Sequence, residues 1–190
     1  MLKVLARTCA YAGCLVLASV PLAAQEVIHA LTGTVSSINN AAKTITVFQD
    51  NGTTSDFRGM SDPRMRIEFD KKVAAQATAA SLFDKQGAYA IVFYFGDGDN
   101  RTVVALKSLG AGPFTSSVGT VDRFDGHSHY IWVKDDSGNT QAFKISSDTV
   151  AESTMGVIEG LKLDAQKGDH VRVVSSLVNG VATALFVRDL

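Results

Sequence analysis

An internal duplication constrains the fold of this chain more than any other feature of its sequence. Residues 32–58 align without a gap to residues 118–144, at an offset of 86 residues and with nine identities over the 27 pairs. From residue 87 to residue 109 the offset becomes 81 residues. The identities fall on glycines and on alternating apolar residues, which fix backbone geometry and packing. The sequence therefore predicts two related structural units, and the differences between them are the best guide to function.

Each copy has the residue pattern of a small β domain. Alternating apolar and polar residues indicate two strands joined by a polar turn, and a glycine turn precedes a third strand. Two further strands end each copy, and residues 73–83 and 150–161 are the helical candidates before them. Five strands in about 75 residues typically curl into a small barrel, which leaves no sheet edge exposed. The predicted fold class is mainly β: two tandem five-stranded barrels, each with a short helix between strands three and four.

The first 24 residues have the features of a secretory signal peptide. They combine a basic start, an uncharged apolar middle and small residues before Gln25. We predict cleavage near Ala24, a periplasmic or secreted location, and no membrane span after cleavage. A retained membrane anchor is the alternative, but Pro21 shortens the apolar run below the length that a bilayer requires.

Removal of this leader changes what the composition implies. Both cysteines, Cys9 and Cys14, lie in the leader, so the mature chain has no disulfide and no thiolate metal site. The full chain has a formal net charge of −1 and the leader is basic, so the mature part lacks the basic footprint of a nucleic-acid-binding protein. The predicted organisation is a signal peptide (residues 1–24), a first unit (25–109), a linker (110–115) and a second unit (116–190).

Three short motifs of the second unit recur in part in the first. They are Gly119-Thr120-Val121, the pair Ile131 and Val133, and Lys167-Gly168-Asp169 followed by Val171 and Val173. These motifs resemble the small OB-like barrel domains of exported bacterial proteins, and the resemblance implies that each unit is such a barrel. A more distant similarity connects the chain to periplasmic copper-chaperone barrels, whose Cu(I) site uses a His, a Trp and a closely spaced Met pair. This chain lacks that motif, so the resemblance implies the fold and not the copper site.

The second unit carries aromatic residues where the first has threonine. Strand alternation predicts that one outer face of the second unit contains Asp122, Phe124, Tyr130 and Trp132. The first unit has Thr44 and Thr46 at the positions of the last two. We interpret this face as a candidate platform for an oligosaccharide or a peptide, or as a docking surface. Packing against the other unit or against a loop is the alternative.

A histidine pair marks the first turn of the second unit. Imidazole is a common ligand of copper and zinc, so His127 and His129, with Asp125 beside them, are candidate ligands for Cu or Zn. The first unit has Ala41 and Lys43 at the two histidine positions, so the fold does not need histidine there. Two solvated turn histidines are the alternative.

Residues 87–95 are apolar on both strand faces, whereas the equivalent segment of the second unit has one mixed face. One face of this strand contains Tyr89, Ile91, Phe93 and Phe95. A strand that is apolar on both faces is usually covered on both. We therefore expect this face to be buried between the two units, which would dock on each other, or against a partner.

The sequence contains no recognisable catalytic motif. It has neither a phosphate-binding glycine loop nor the residue order of a hydrolase triad. It predicts a non-enzymatic, exported binding or interaction module with no cofactor, whose partner is an unknown protein or glycan. Metal binding at the histidine turn and oligosaccharide or peptide binding at the aromatic face are the two more specific alternatives.

Overall fold

The structure is a computed structural model that describes residues 26–59 and 70–190. The predicted signal peptide and its cleavage position near Ala24 lie outside the described residues. In the part of the chain that is described, no helix is long and apolar enough to cross a membrane. The fold is mainly β, as predicted, and its strands form two sheets, one from each copy of the duplicated sequence.

The first sheet is built from the first unit. Its elements, in chain order, are β1 (His29–Asn39), β2 (Thr44–Gln49), β3 (Thr54–Gly59), α1 (Lys71–Ala75), β4 (Thr78–Ala79), β5 (Tyr89–Phe95) and β6 (Thr102–Ser108). The strand order is β3-β2-β1-β5-β6-β4, with antiparallel neighbours. In addition, β3 pairs in parallel with β6, through Arg58 with Thr102 and Gly59 with Val103.

The second sheet is built from the second unit. Its strands are β7 (Thr115–Asp125), β8 (Tyr130–Lys134), β9 (Thr140–Lys144), β10 (Val150–Ser153), β11 (Gly156–Glu159), β12 (His170–Val178) and β13 (Val181–Asp189). The strand order is β11-β10-β13-β12-β7-β8-β9. A parallel pairing of Thr183 with Lys144 joins β13 to β9 and closes a five-stranded barrel. Strand β8 lies between β7 and β9, so it has no free edge.

The segment between β3 and β5 in the first unit differs from its counterpart between β9 and β12 in the second. In the first unit it contains α1, which begins after Asp70; this carboxylate accepts a hydrogen bond from the backbone N–H of Lys72 at 2.9 Å. In the second unit the prediction of a helix over residues 150–161 is wrong, because β10 and β11 form a hairpin there. Its β-branched residues, such as Val157 and Ile158, favour extended backbone. Short 3₁₀ turns occur at Ala80–Leu82, Gly98–Asn100 and Gly160–Lys162.

The glycine of each Gly-Thr-Val motif lies where a side chain has no room. A Cβ on Gly33 would lie 2.4 Å from the carbonyl oxygen of Phe48, and a Cβ on Gly119 would lie 2.2 Å from that of Lys134. A larger residue would force the neighbouring strand away. The duplicated glycine therefore allows β1 to approach β2 closely, and β7 to approach β8.

A cluster of apolar side chains joins the two units. From β5 of the first unit, Ile91, Phe93 and Phe95 enter this inter-unit cluster, and Ile91 and Phe93 are completely buried. From the second unit, Val174 and Phe186 pack against them. The residues that alternate with them on β5 face the core of the first unit. The strand therefore has one face in each of two apolar cores.

Tyr89, at the start of β5, connects this cluster to the segment between the units. Its ring stacks on Phe114 with the ring centroids 4.9 Å apart, and its hydroxyl donates to Asp50 Oδ2 at 2.7 Å. Burial, and next the hydrogen bond to Asp50, raise the pKa of Tyr89 far above its ordinary value. The phenol therefore stays protonated and remains a hydrogen-bond donor.

Two ion pairs cross between the units near α1. Lys72 Nζ lies 2.9 Å from the buried Glu159 Oε1, and Lys162 Nζ lies 2.5 Å from Asp70 Oδ2. Each unit therefore supplies one cation and one carboxylate. Because both lysines are mostly exposed, the pairs orient the units more than they stabilise them.

A buried carboxylate lies at a second polar contact between the units. Glu152 of β10 is 5% exposed; its Oε1 lies 3.0 Å from His29 Nδ1 of the first unit, and its Oε2 lies 3.1 Å from Arg188 Nε. Burial raises the pKa of Glu152 above its ordinary value, and the nearby Arg188 and His29 oppose that rise. Arg188 and His29 therefore offset only part of the cost of burying the ionised carboxylate of Glu152.

Candidate functional site

The outer face of β7, β8 and β9 is the strongest candidate site. Its central row pairs Arg123 with Trp132 and Trp132 with Ala142, and we refer to these three residues as the aromatic row. Arg123 Cζ lies 3.6 Å from the centroid of the Trp132 ring. The ring of Tyr130 lies beside it, with centroids 5.7 Å apart and planes inclined by 35°. The guanidinium and the two partly exposed rings thus form one continuous surface.

A β-bulge alters the composition predicted for this face. The register between β7 and β8 shifts at Asp122, and an extra residue in one strand reverses the alternation of side chains beyond it. Arg123 is therefore the residue that pairs with Trp132. Phe124 pairs instead with Ile131 and packs against the core of the second unit. The prediction that Phe124 lies on the aromatic face is wrong for this reason.

Arg123 is the site residue that the sequence analysis missed. Simple alternation from the buried Val121 directs Arg123 inward, where an unpaired charge is strongly disfavoured. That conflict is the one sequence signal of the bulge. The bulge residue itself, Asp122, is exposed, and its Oδ1 lies 3.5 Å from Lys167 Nζ.

The first unit has a polar row at the same three positions. Ser37 pairs with Thr46, and Thr46 pairs with Asp56. Ser37 Oγ donates to Thr46 Oγ1 at 3.1 Å, and Thr46 Oγ1 donates to Asp56 Oδ1 at 2.6 Å. The same backbone arrangement therefore accommodates a row whose members satisfy one another, so the aromatic row is not a requirement of the fold.

A groove lies over this face in the first unit. Its volume is about 450 Å³, and its walls come from β2, β3 and the β5–β6 hairpin. The residues that contribute most of its charge are Asp56, Arg58, Asp99 and Arg101. The β5–β6 hairpin thus forms one wall of the groove, beside the face of β2 and β3.

The corresponding hairpin of the second unit, between β12 and β13, is apolar. Its exposed large hydrophobic residues are Leu177, Val178 and Val181, at 72%, 49% and 39% exposure, and the exposed Asn179 and Gly180 form the turn between them. The hairpin leads into Thr183, which pairs with Lys144 of β9, and Lys144 pairs with Tyr130. The apolar tip therefore adjoins one end of the aromatic face.

The turn that contains His127 and His129 joins β7 to β8 and lies at the same end of the aromatic face as Tyr130. Both His127 and His129 are exposed, and Asp125 Oδ1 accepts from the backbone N–H groups of His127 and Ser128 at 3.0 and 3.1 Å. Hydrogen bonds from Ser128, and then from His127, hold the pKa of Asp125 below its ordinary value. Within residues 26–59 and 70–190, no three His, Cys, Asp or Glu side chains are grouped to hold a metal ion.

Comparison with known proteins adds no name to this site. No protein-family model matches the chain, and no curated protein is significantly similar to it in sequence. The features that bear on function are the geometry of the aromatic face and its difference from the first unit.

Proposed function

We propose that the protein is an exported, non-catalytic binding module made of two OB-like small barrels, which holds an extended ligand on the aromatic face of the second unit. The observation that carries this proposal is the exchange of the polar row for the aromatic row at equivalent positions. Partly exposed rings with a stacked cation are typical of recognition surfaces, because they offer apolar area and directed charge together.

The equivalent strand pairings of the two units support the OB-like assignment. In the first unit β1 pairs with β2 and β5, and β3 pairs in parallel with β6. In the second unit β7 pairs with β8 and β12, and β9 pairs in parallel with β13. OB folds bind oligosaccharides and oligonucleotides on the face of strands two and three, between the loops that follow strands one and four. The aromatic face occupies that position in the second unit.

Other features support the remaining parts of the proposal. The leader at residues 1–24 and a mature chain without cysteine support export. The gap between the end of β6 at Ser108 and the start of β7 at Thr115 supports the linker at residues 110–115. The inter-unit cluster supports the docking of the two units on each other.

Calorimetric titration of the full chain with oligosaccharides and peptides tests the proposal. Trp132→Thr introduces the residue that the first unit has at this position, so the variant is expected to fold and to bind about tenfold or more weakly. Thr44→Ala, at the first unit's counterpart of Tyr130, is the matched control and should bind as the wild type does. If no oligosaccharide or peptide in the panel binds, or if Trp132→Thr binds normally, the proposed function is wrong.

Metal binding at His127, His129 and Asp125 stays a prediction without a structural observation in its favour. Titration of the full chain with Cu or Zn checks it. Stoichiometric binding that His127→Ala removes would support the site, and binding that is unchanged by His127→Ala would exclude it.

A further inference from the structure

The aromatic face carries three cations, one in each of its rows. Lys144 lies in the row of Tyr130, Arg123 lies in the aromatic row, and Lys134 lies in the next row along β8. Successive rows are two residues apart, or about 7 Å along a strand. The cations therefore form a stripe that runs the length of the face.

The first unit lacks this stripe. At the positions of Arg123 and Lys134 it has Ser37 and Phe48, so only Arg58 corresponds to a cation of the second unit. Asp56 adds a carboxylate to the same face of the first unit, where the second unit has Ala142. The second unit has Asp125 in the row of Tyr130, where the first unit has Asn39. The second unit therefore gains two cations on this face, while the number of carboxylates in the rows is unchanged.

The three cations are also available to a ligand. In the described part of the chain, no hydrogen bond or ion pair engages the side chains of Arg123, Lys134 or Lys144; the guanidinium of Arg123 stacks on the Trp132 ring, and its charge helps to lower the pKa of Asp125. Stacking fixes the plane of a guanidinium and leaves its edge free to donate two hydrogen bonds to a carboxylate.

Carboxylates lie at both ends of the stripe and at the bulge, and one of them, Asp125, pairs with Tyr130 in the row of Lys144. Asp125 is engaged by the backbone of its own turn, and Asp122 lies near Lys167. At the other end, Asp135 accepts from the backbone and the side chain of Asn139, and Asp136 follows it. These acidic residues oppose an anion that extends beyond the stripe, whereas carboxylates that lie on the stripe itself face the three cations.

The pairing of β8 on both sides favours a sugar chain over a peptide that would bind as an added strand. Strand β8 is hydrogen-bonded to β7 and β9, so a peptide cannot add to it as a further strand. At the rings of Tyr130 and Trp132, recognition therefore relies on side chains. Rings of Tyr and Trp can stack on the apolar faces of sugar rings, while the cations between them bind carboxylates.

We infer that the ligand of this face is an acidic oligosaccharide, a chain of sugars that carry carboxylates. The inference rests on the proposed function and adds to it the chemical class of the ligand. The stacked rings hold the sugar rings, and Arg123, Lys134 and Lys144 hold the carboxylates.

Calorimetry on the full chain with four probes of equal length tests this inference: a galacturonate hexamer, a glucose hexamer, a glutamate hexapeptide and a thymidylate hexamer. We expect the galacturonate hexamer to bind at least tenfold more tightly than each of the others, and to bind more weakly as salt rises. Arg123→Gln should weaken its binding about tenfold or more, the usual effect of losing a charge-assisted hydrogen bond.

Lys144→Gln and Arg58→Gln form a matched pair, because the two residues occupy equivalent positions in the two units. The first should weaken galacturonate binding and the second should leave it unchanged. Equal binding of the glucose and galacturonate hexamers would overturn the inference and leave the proposed function intact. Tighter binding of the peptide or of the thymidylate hexamer would overturn the inference, and binding of no probe would count against the proposed function as well.

Discussion

Ile91→Ala provides a sharp test of whether the two units stabilise each other. Ile91 belongs to the first unit, is completely buried, and packs in the inter-unit cluster with Val174 and Phe186 of the second. Loss of a buried isoleucine side chain costs about 2–5 kcal/mol, depending on how far the site can collapse. Both units hold the walls of this cluster, so we expect little collapse and a loss of about 3 kcal/mol.

Trp132 is the only tryptophan of the chain and lies in the second unit, so its fluorescence reports the unit that is not mutated. In urea, with a slope of about 2 kcal/mol/M, a loss of this size lowers the unfolding midpoint by about 1.5 M. The far-UV circular dichroism, which follows both units, should give the same midpoint if they unfold together.

Leu82→Ala is the control for this experiment. Leu82 also belongs to the first unit but is 73% exposed, so its replacement should change stability by less than about 0.5 kcal/mol. If Ile91→Ala leaves the Trp132 midpoint unchanged while part of the circular dichroism is lost at lower urea, the units unfold independently. The structural role given to the inter-unit cluster would then be wrong.

Two further predictions concern stability. Burial raises the pKa of Glu152 above its ordinary 4.5, so the folded wild type binds more protons and loses stability as pH rises through this range. Glu152→Gln, which cannot titrate there, should gain unfolding free energy relative to the wild type as pH rises above about 4.5; paired urea titrations at each pH measure the difference, and a flat or falling difference would contradict the assignment. Gly33→Ala and Gly119→Ala should each cost about 1–3 kcal/mol, because their Cβ atoms would overlap a backbone carbonyl. Thermal unfolding measures this cost. If either variant has the melting temperature of the wild type, the strands move apart easily and the prediction is wrong.

The repeated parts of the fold could be predicted from the sequence because local pattern determines them. Alternating apolar residues and the glycine of each Gly-Thr-Val motif occur in both copies, and each copy forms its own sheet around them. The segment at residues 150–161 could not be assigned in this way, since its conformation depends on β10 pairing with β13, a strand about 30 residues later.

The candidate site could be predicted only in part. Exchange of Thr44 and Thr46 for Tyr130 and Trp132 is visible in the alignment of the copies, and the structure places these two rings side by side. The position of Arg123 could not be predicted, because the bulge at Asp122 determines which residue of β7 pairs with Trp132 and the bulge has no sequence motif of its own. Contacts between the units, such as His29 with Glu152, join residues too far apart in sequence for any local pattern to indicate.

The central claim is that function lies where the second unit departs from the first. Backbone amide chemical shifts, followed by NMR while the galacturonate hexamer is added to the full chain, test it most directly. We predict progressive shifts along the aromatic row at Arg123, Trp132 and Ala142, with the polar row at Ser37, Thr46 and Asp56 unmoved. Shifts of equal size in both rows, or shifts in the polar row alone, would contradict the account.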